Sequence, residues 1–496
     1  MTDPSDLTAE TVDRVAAGFG LSPSDEERRD SLETARSILA MADAFDVEPP
    51  ASTEPADVRE GDDPYNAFRL RFDLASDDPA GDAPPLEGLS VAVKENIAVA
   101  GVESTCGSNG FSYRPRSHAT VVARLLSAGA DVVGTTNMDE FAYFTTGETC
   151  GHGRIENPVA EGRVPGGSSS GSAAAVGGGL VDAALGTDTA GSIRIPASFC
   201  GVVGLKPTHR TVSRFGVVDL SPSLDHVGPL ARDVETVARI TEVIAGSDPL
   251  DPSTRAVPSP DDLVDAADDG VGGLSLGVVE EAMATASDDV ADAIEESIDL
   301  LEAAGATVER LSLEGFDLAP AANGTIVGAE FASVLAGNAV ETGTGTTPAL
   351  ADAFAALKES DGEAVGEHVR EQAVANRVAA EARAGKHYLA ALDFRRRFTE
   401  RVRRQFRPGS EDGRGLDVLV TPTTPIPAPE FGAVTGMDGL LRTLANTAPF
   451  NLAGTPAVSV PCGETGDGLP VGLQVVADWH EEATALRVAR AVEISR

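Results

Sequence analysis

The stretch from residue 162 to residue 194, GRVPGGSSSGSAAAVGGGLVDAALGTDTAGSIR, constrains this chain more than any other feature. It is almost free of large side chains. Its Gly, Ser and Ala residues let backbone segments approach closely, and Gly reaches dihedral angles closed to other residues. A phosphate-cradling loop needs GxxxxGK followed by Ser or Thr, and no Lys follows these glycines. A dinucleotide loop needs GxGxxG directly after a strand, but this tract follows Gly162-Arg163-Val164-Pro165, which has no strand pattern. Gly167-Ser168-Ser169-Ser170-Gly171 matches GxSxG, which would make Ser169 an elbow nucleophile. That elbow stands between a strand and a helix, and the strand is missing. For the tract taken alone, a purely structural Gly-Ser loop remains the main alternative.

The surrounding chain has 496 residues, of which 42% are hydrophobic, enough for a sizeable buried core. Its charge is extreme: 78 Asp and Glu stand against 38 Lys and Arg, a formal net charge of -40. Such a chain repels phosphate backbones, so direct nucleic-acid binding is not expected. Lys occurs only at positions 94, 206, 358 and 386, and every other cation is Arg. Acidic, Lys-poor composition resembles that of proteins from salt-adapted organisms, where a Debye length of about 3 Å at 1 M salt quiets the self-repulsion. Cys106, Cys150, Cys200 and Cys462 lie far apart, without CxxC spacing or neighbouring His pairs. Neither a zinc site nor a disulfide framework is indicated, and no metal or cofactor is expected. The first residues, MTDPSDLTAETVDRV, carry no basic and apolar leader pattern, and no apolar run approaches ~20 residues. A soluble, cytoplasmic protein without membrane contact is the expectation.

Residues 1–46 read as helical, with Asp3 or Thr8 capping a first helix and Ser22, followed by Pro23, capping a second. Residues 47–85, rich in Pro, Asp and Ala, read as a loose connector. LEGLSVAVKENIAV contains a short buried strand ending at Lys94, and HATVVARLLSAGADVVGTTN reads helix, Gly129 stop, strand. Residues 274–313 read strand–helix–strand, and residues 320–408 read mainly helical. Strands return in LDVLVTPTTP, AVSVPC and PVGLQVVAD before a last helix near 481–494. Strands at both ends with helices between predict one mixed α/β domain, with 1–75 as helical segment and connector and 76–496 as the main domain.

PGGSSSGSAAA followed by ALGTDTAGSIRIPASFCGVVGLKPT resembles the long hallmark of the amidase signature family. KENIAV after an apolar strand is similar to that family's catalytic-lysine segment. Further similarity lies in TNMDEFAY, SLDHVGPLARDVE, NTAPFNLAGTPAVSVPCG and GLPVGLQVV, so the resemblance runs from about residue 86 to the C-terminus. It implies the family's α/β fold, a large mixed β-sheet covered by helices on both faces. Carried over position by position, it implies Ser192 as nucleophile, Ser168 as bridging serine after a cis peptide bond, and Lys94 as base. The backbone N–H groups of Thr189, Ala190, Gly191 and Ser192 match the oxyanion hole. Two positions depart from the pattern: the family commonly has Gly where Ala190 and Ser170 stand, and Ala190 would be strained if that position required positive φ.

These residue types suit amide cleavage. A serine hydroxyl is a weak nucleophile until a nearby base takes its proton. No His sits in these motifs, so Lys must serve, and only when neutral. An unperturbed Lys titrates near ~10.4, and burial after the apolar run Leu89–Val93 lowers it. Ser168 then relays the proton towards Lys94 and later delivers it to the departing amine, which leaves poorly unprotonated. Losing one oxyanion donor costs about 2.7–4 kcal/mol of transition-state stabilisation. Asp188 and Arg194 flank the nucleophile as an orienting pair or as a plain surface ion pair. Duller readings stand beside each residue: a strand-end surface role for Lys94, a helix cap for Ser192, a core role for Cys200. Cys106 and Cys150 as thiol nucleophiles with His118 or His152 lack catalytic context.

The family divides into free-standing amidases and the A subunit (glutaminase) of the tRNA-dependent amidotransferase. That glutaminase's LGTxxLSxGYYD-like segment is absent, and the corresponding region reads ARAGKHYLAALDFRRRF. Where the glutaminase keeps an acidic residue for glutamine's α-amino group, seven positions before NLAG, this chain has Leu444. The expectation is a free amidase forming an acyl-enzyme from a small-molecule amide, as a possible homodimer, with the glutaminase of the tRNA-dependent amidotransferase as alternative.

Overall fold

The computed structural model describes residues 7–42, 52–76, 79–80, 83–338, 348–360, 364–409 and 413–496. Met1–Ala51 and Ser52–Arg496 form two compact units. The first holds helices Ala9–Gly18 and Asp25–Ala42. Thr8 caps the first as expected: Thr11 N–H donates to Thr8 Oγ1 at 3.3 Å, and Thr8 N–H donates back to Thr11 Oγ1 at 3.4 Å. Asp3 lies outside the described residues. The second cap falls on Ser24, two residues beyond Ser22. Ser24 N–H donates to Glu27 Oε2 at 2.7 Å while Glu27 N–H donates to Ser24 Oγ at 3.3 Å. This reciprocal box satisfies two orphan N–H groups; Ser22 has Asp25, not Glu or Gln, three positions on.

The second unit is built on one twelve-stranded mixed sheet. Its strands are β1 (Ala56–Glu60), β2 (Phe68–Leu74), β3 (Ser90–Lys94), β4 (Asp131–Thr136), β5 (Ala183–Asp188) and β6 (Val203–Lys206). They continue with β7 (His226–Ala231), β8 (Ser275–Val279), β9 (Thr307–Leu311), β10 (Val418–Pro422), β11 (Ala457–Glu464) and β12 (Pro470–Ala477). Their order across the sheet is β1-β2-β4-β3-β5-β7-β6-β11-β12-β10-β8-β9. β4, β3 and β5 run parallel, as do β10, β8 and β9, while the strands between them pair antiparallel.

Residues 47–85, expected as a loose connector, supply β1 and β2. In β2, Phe68, Leu70, Phe72 and Leu74 are buried, while Arg69, Arg71 and Asp73 are more exposed. That alternation of period two is a half-buried strand's signature, hidden by the Pro- and Asp-rich flanks. Strand alternation also explains two-sided burial. Val91, Val93, Val458 and Val475 join a core with helices Thr120–Ser127, Val234–Ile244, Asp288–Ala303 and Glu482–Ile494. Their neighbours Ala457 and Val476 face a second core with helices Ala319–Ser333 and Lys386–Phe406, and Ala92 faces a third with helix Ser170–Gly177. Helices therefore cover both faces of a mixed sheet, as the α/β reading predicted. Among the described residues, no helix is long and apolar enough to cross a membrane.

The small-residue tract wraps helix Ser170–Gly177 onto the parallel strands. A β-carbon at Gly171 would sit 2.3 Å from the carbonyl oxygen of Ala67 and 2.5 Å from that of Asn137, so a larger residue could not keep this contact.

Candidate active site

The site gathers where β3 and β5, parallel neighbours, end together. Lys94 is the last residue of β3 and is wholly buried. Its Nζ lies 2.8 Å from Ser168 Oγ and 2.8 Å from Thr187 Oγ1. Asn96 Nδ2 donates to the same Thr187 hydroxyl at 3.3 Å, leaving that hydroxyl's own proton available to Nζ. Burial pulls the Lys94 ammonium down to about 7, against the raising charges of Asp139, Asp188 and Asp225. The surface reading of Lys94 is excluded.

Ser168 follows a cis Gly167–Ser168 peptide bond, and its side chain is wholly buried. Gly167 has no room for a side chain: a β-carbon there would lie 2.0 Å from Asp139 Oδ2. Asp139 holds the next loop, accepting from Gly147 N–H at 3.0 Å and from Thr149 Oγ1 at 2.7 Å. Ser169 is not an exposed elbow residue; it is buried and bonds β5, its Oγ donating to Thr187 O at 3.1 Å. Ser170 also faces inward, its hydroxyl 3.4 Å from Asp139 Oδ2.

Ser192 lies on the loop between β5 and helix Arg194–Phe199, so it is not a side-chain cap of that helix. Backbone ties it to the Ser168 segment: Ser169 N–H donates to the Ser192 carbonyl oxygen at 3.1 Å. The Ser192 hydroxyl itself makes no hydrogen bond among the described residues. Lys94 and Ser168 are thus directly joined, whereas Ser192 meets them through the main chain.

The loop Thr189–Ser192 is pinned by its carbonyls. Asn323 Nδ2 donates to Thr189 O at 3.2 Å, and Thr447 Oγ1 donates to Ala190 O at 2.6 Å. A trans peptide points its N–H opposite its C=O, so these two bonds turn the N–H groups of Ala190 and Gly191 the other way. The Thr189 hydroxyl donates to Asp225 Oδ1 at 2.6 Å, fixing the loop's start. Position 190 does not need positive φ, so Ala is unstrained there; Gly191, at φ 144°, carries the unusual conformation.

Asp188 and Arg194 are both wholly buried, and the surface-pair reading falls. Arg194 grips Asp188 with Nε to Oδ2 and Nη2 to Oδ1, each at 3.0 Å. Its other protons reach Thr447 O, Gln474 Oε1 and Asn451 Oδ1. Burial pushes the Asp188 carboxyl up, but the Arg194 charge and its hydrogen bonds outweigh it and hold the group at about 2. Asp188 Oδ2 also accepts from Ile193 N–H at 3.1 Å, so the pair shapes the turn carrying Ser192.

Ser192, Thr189 and Ala190 line a narrow cavity of about 80 Å³. Its other walls include Phe144, Val327, Met437, Leu440 and Leu444, and among the described residues none that lines it is charged. Cys106, Cys150 and Cys200 are buried. Burial raises all three thiols, Cys150 to about 12, and neither the His118 nor the His152 imidazole bonds to one of them; His152 Nε2 meets Thr105 Oγ1 at 2.6 Å.

Sequence reasoning did not single out Thr187, Asn323, Thr447 or Asp225. Thr187 sits inside the hallmark, two positions before Thr189, and alternation along β5 was the available signal. Asn323 and Thr447 come from distant segments, and nothing local announces their partners.

The family model described as Amidase matches residues 71–486. The chain is 45% identical to the A subunit of the glutamyl-tRNA(Gln) amidotransferase of Natronomonas pharaonis, over 86% of this chain and 99% of that protein. Among solved structures it is similar to the A subunit of the glutamyl-tRNA(Gln) amidotransferase of Thermotoga maritima, with a TM-score of 0.70 and 32% identity, covering 99% of this chain and 95% of that one. It is also similar to 6-aminohexanoate cyclic dimer hydrolase, with a TM-score of 0.71 and 29% identity, covering 82% and 85%.

Proposed function

The chain belongs to the amidase signature family, and on that premise we propose that it hydrolyses carboxylic amides as a free-standing enzyme, with Ser192 as nucleophile, Ser168 as relay and Lys94 as base. The observation that carries this reading is the 2.8 Å contact between Ser168 Oγ and a wholly buried Lys94 Nζ. With Lys94 neutral, Ser168 gives its proton to Nζ and takes the proton of Ser192. The Ser192 oxygen then bonds to the amide carbon. Negative charge gathers on the former carbonyl oxygen, where the N–H groups of Thr189, Ala190, Gly191 and Ser192 receive it. The relay runs backwards to protonate the nitrogen, the C–N bond breaks, and ammonia or amine departs from an acyl-enzyme. Water enters by the same path and releases the carboxylate. The Ser192 hydroxyl, which has no partner among the described residues, is left to join the relay when substrate binds, since catalytic hydrogen bonds commonly tighten in that complex.

The cavity beside Ser192 supports an amide with an uncharged, largely apolar acyl part. Glutamine brings an α-ammonium and an α-carboxylate, and burying either without a charged partner is costly. Among the described residues none that lines this cavity is charged, and Leu444 stands in its wall. A second reading, the glutaminase component of a tRNA-dependent amidotransferase, is favoured by the 45% identity to a protein of that name.

Ammonia release from a panel of primary amides that includes glutamine, assayed on the purified chain in high salt, separates the two. The free amidase releases ammonia from apolar amides and little from glutamine. Dominant glutamine turnover, or activity only with a partner protein and charged tRNA, would establish the alternative. Ser192→Ala and Lys94→Met are each expected to cut kcat by at least roughly 10²–10⁴-fold while leaving the fold intact.

A further inference from the structure

A second cavity, of about 570 Å³, lies apart from the Ser192 pocket and shares no lining residue with it. The short helix Ala448–Ala453 stands between them: its flank at Thr447 and Asn451 holds Ala190 and Arg194, while Leu452 to Gly454 wall the second cavity. In a chain carrying a net charge of -40, this wall holds Arg210, Arg395 and Arg396 with His209 and His480 and, among the described residues, not one Asp or Glu.

The nearby carboxylates are committed elsewhere. Glu330 accepts from the Ser221, Ser223 and Tyr388 hydroxyls, Asp478 pairs with Arg403, and Asp393 pairs with Arg396 and Arg397. Among the described residues, that leaves two guanidiniums of this wall without a carboxylate in contact. Arg395 donates only to neutral oxygens, at Leu452 O, Ser223 Oγ and Ser223 O. Arg210 is exposed and makes no hydrogen bond or ion pair among the described residues. His209 leaves its buried Nε2 without a partner, and burial together with Arg214, Arg395 and Arg210 drives its pKa well below 6.5. Arg210 at φ 74° and His480 at φ 67° both hold left-handed backbone, a cost for residues with a β-carbon that recurs where side chains are aimed at ligands.

We propose that this cavity binds a small organic oxyanion, a carboxylate or phosphate compound, with Arg210 and Arg395 as its charge-pairing groups. A guanidinium presents its donors in a fork that matches either oxyanion, and bound negative charge relieves the crowding of like charges around His209. The room available exceeds that of a single halide ion, so the occupant is molecular. This site is independent of the amide-hydrolysing reading: it requires neither Ser192 nor turnover.

Trp479 lines the cavity, is the one tryptophan of the chain, and has Arg403 stacked 3.8 Å from its ring. Its fluorescence therefore reports occupancy without a label. The full-length protein is titrated with citrate, with inorganic phosphate and, at matched ionic strength, with chloride. Saturable change with citrate or phosphate, absent with chloride and weakened roughly ten- to hundredfold in Arg210→Gln, is expected. Citrate alone saturating identifies a carboxylate ligand; phosphate alone identifies a phosphate ligand. Arg395→Lys, which keeps a charge but loses the fork, weakens binding less than Arg210→Gln. A linear response, an equal response to chloride, or an unchanged affinity in Arg210→Gln with circular dichroism showing a native fold overturns the proposal.

Discussion

Two of the four lysines, Lys94 and Lys206, are wholly buried, and their surroundings differ. Lys206 Nζ donates to the carbonyl oxygens of Pro207 and Thr455 and lies 3.5 Å from His226 Nε2, with no serine or threonine hydroxyl in contact among the described residues. Lys94 instead meets two hydroxyls, either of which can exchange a proton with it. At this scale the Asp188–Arg194 pair is the most exposed to test. Neither partner touches solvent, so Asp188→Asn leaves a buried guanidinium without its counter-charge, at a cost of about 3–5 kcal/mol. A fall in the thermal midpoint of several degrees is expected, and an unchanged midpoint would show the pair to be dispensable. The candidate-site residues that the sequence singles out are those inside contiguous motifs: Lys94, Ser168, Ser192 and the loop between Thr189 and Ser192. Asn323 and Thr447, which pin that loop, were not legible, because their roles depend on contacts 134 and 257 positions along the chain.

At the scale of elements, β3, β4 and the helix between them followed from periodicity and from the Gly129 stop, which adopts φ 85°. β2 did not, although FRLRFDL alternates cleanly, because the residues around it carry the composition of a loop. Phe72 decides whether β2 belongs to the core: it is wholly buried in the same cluster as Val91 and Val93. Phe72→Ala is expected to cost roughly 3–5 kcal/mol and to lower the thermal midpoint accordingly. A cost below about 1 kcal/mol, the value of an exposed connector, would place β2 outside the core. The shift of the second N-cap from Ser22 to Ser24 has a simpler cause. Glu27 completes a box with Ser24 only, and the pair of reciprocal bonds outweighs Pro at the first helical position.

For the whole molecule, the excess of 78 acidic over 38 basic side chains sets the conditions under which the fold is comfortable. Self-repulsion weakens as salt shortens the Debye length, so the thermal midpoint is expected to rise between about 0.1 M and about 3 M salt. A midpoint that falls over that range would mean that ion pairs, which salt also screens, dominate the balance. The acidity also sets the Arg-lined second cavity apart, since many cations elsewhere on the surface engage neighbouring carboxylates, as in Arg310 with Glu295 and Arg239 with Glu235.

The pH dependence of kcat/KM for amide hydrolysis tests the buried amine directly. Lys94 must be neutral to accept a proton, and its neutral fraction grows as pH rises through about 7. The account predicts a rate that climbs about tenfold per pH unit below that point and levels above it, with the ionisation absent from the residual rate of Lys94→Met. A rate flat from about pH 5 to about pH 9, or one that falls as pH rises through 7, would contradict it.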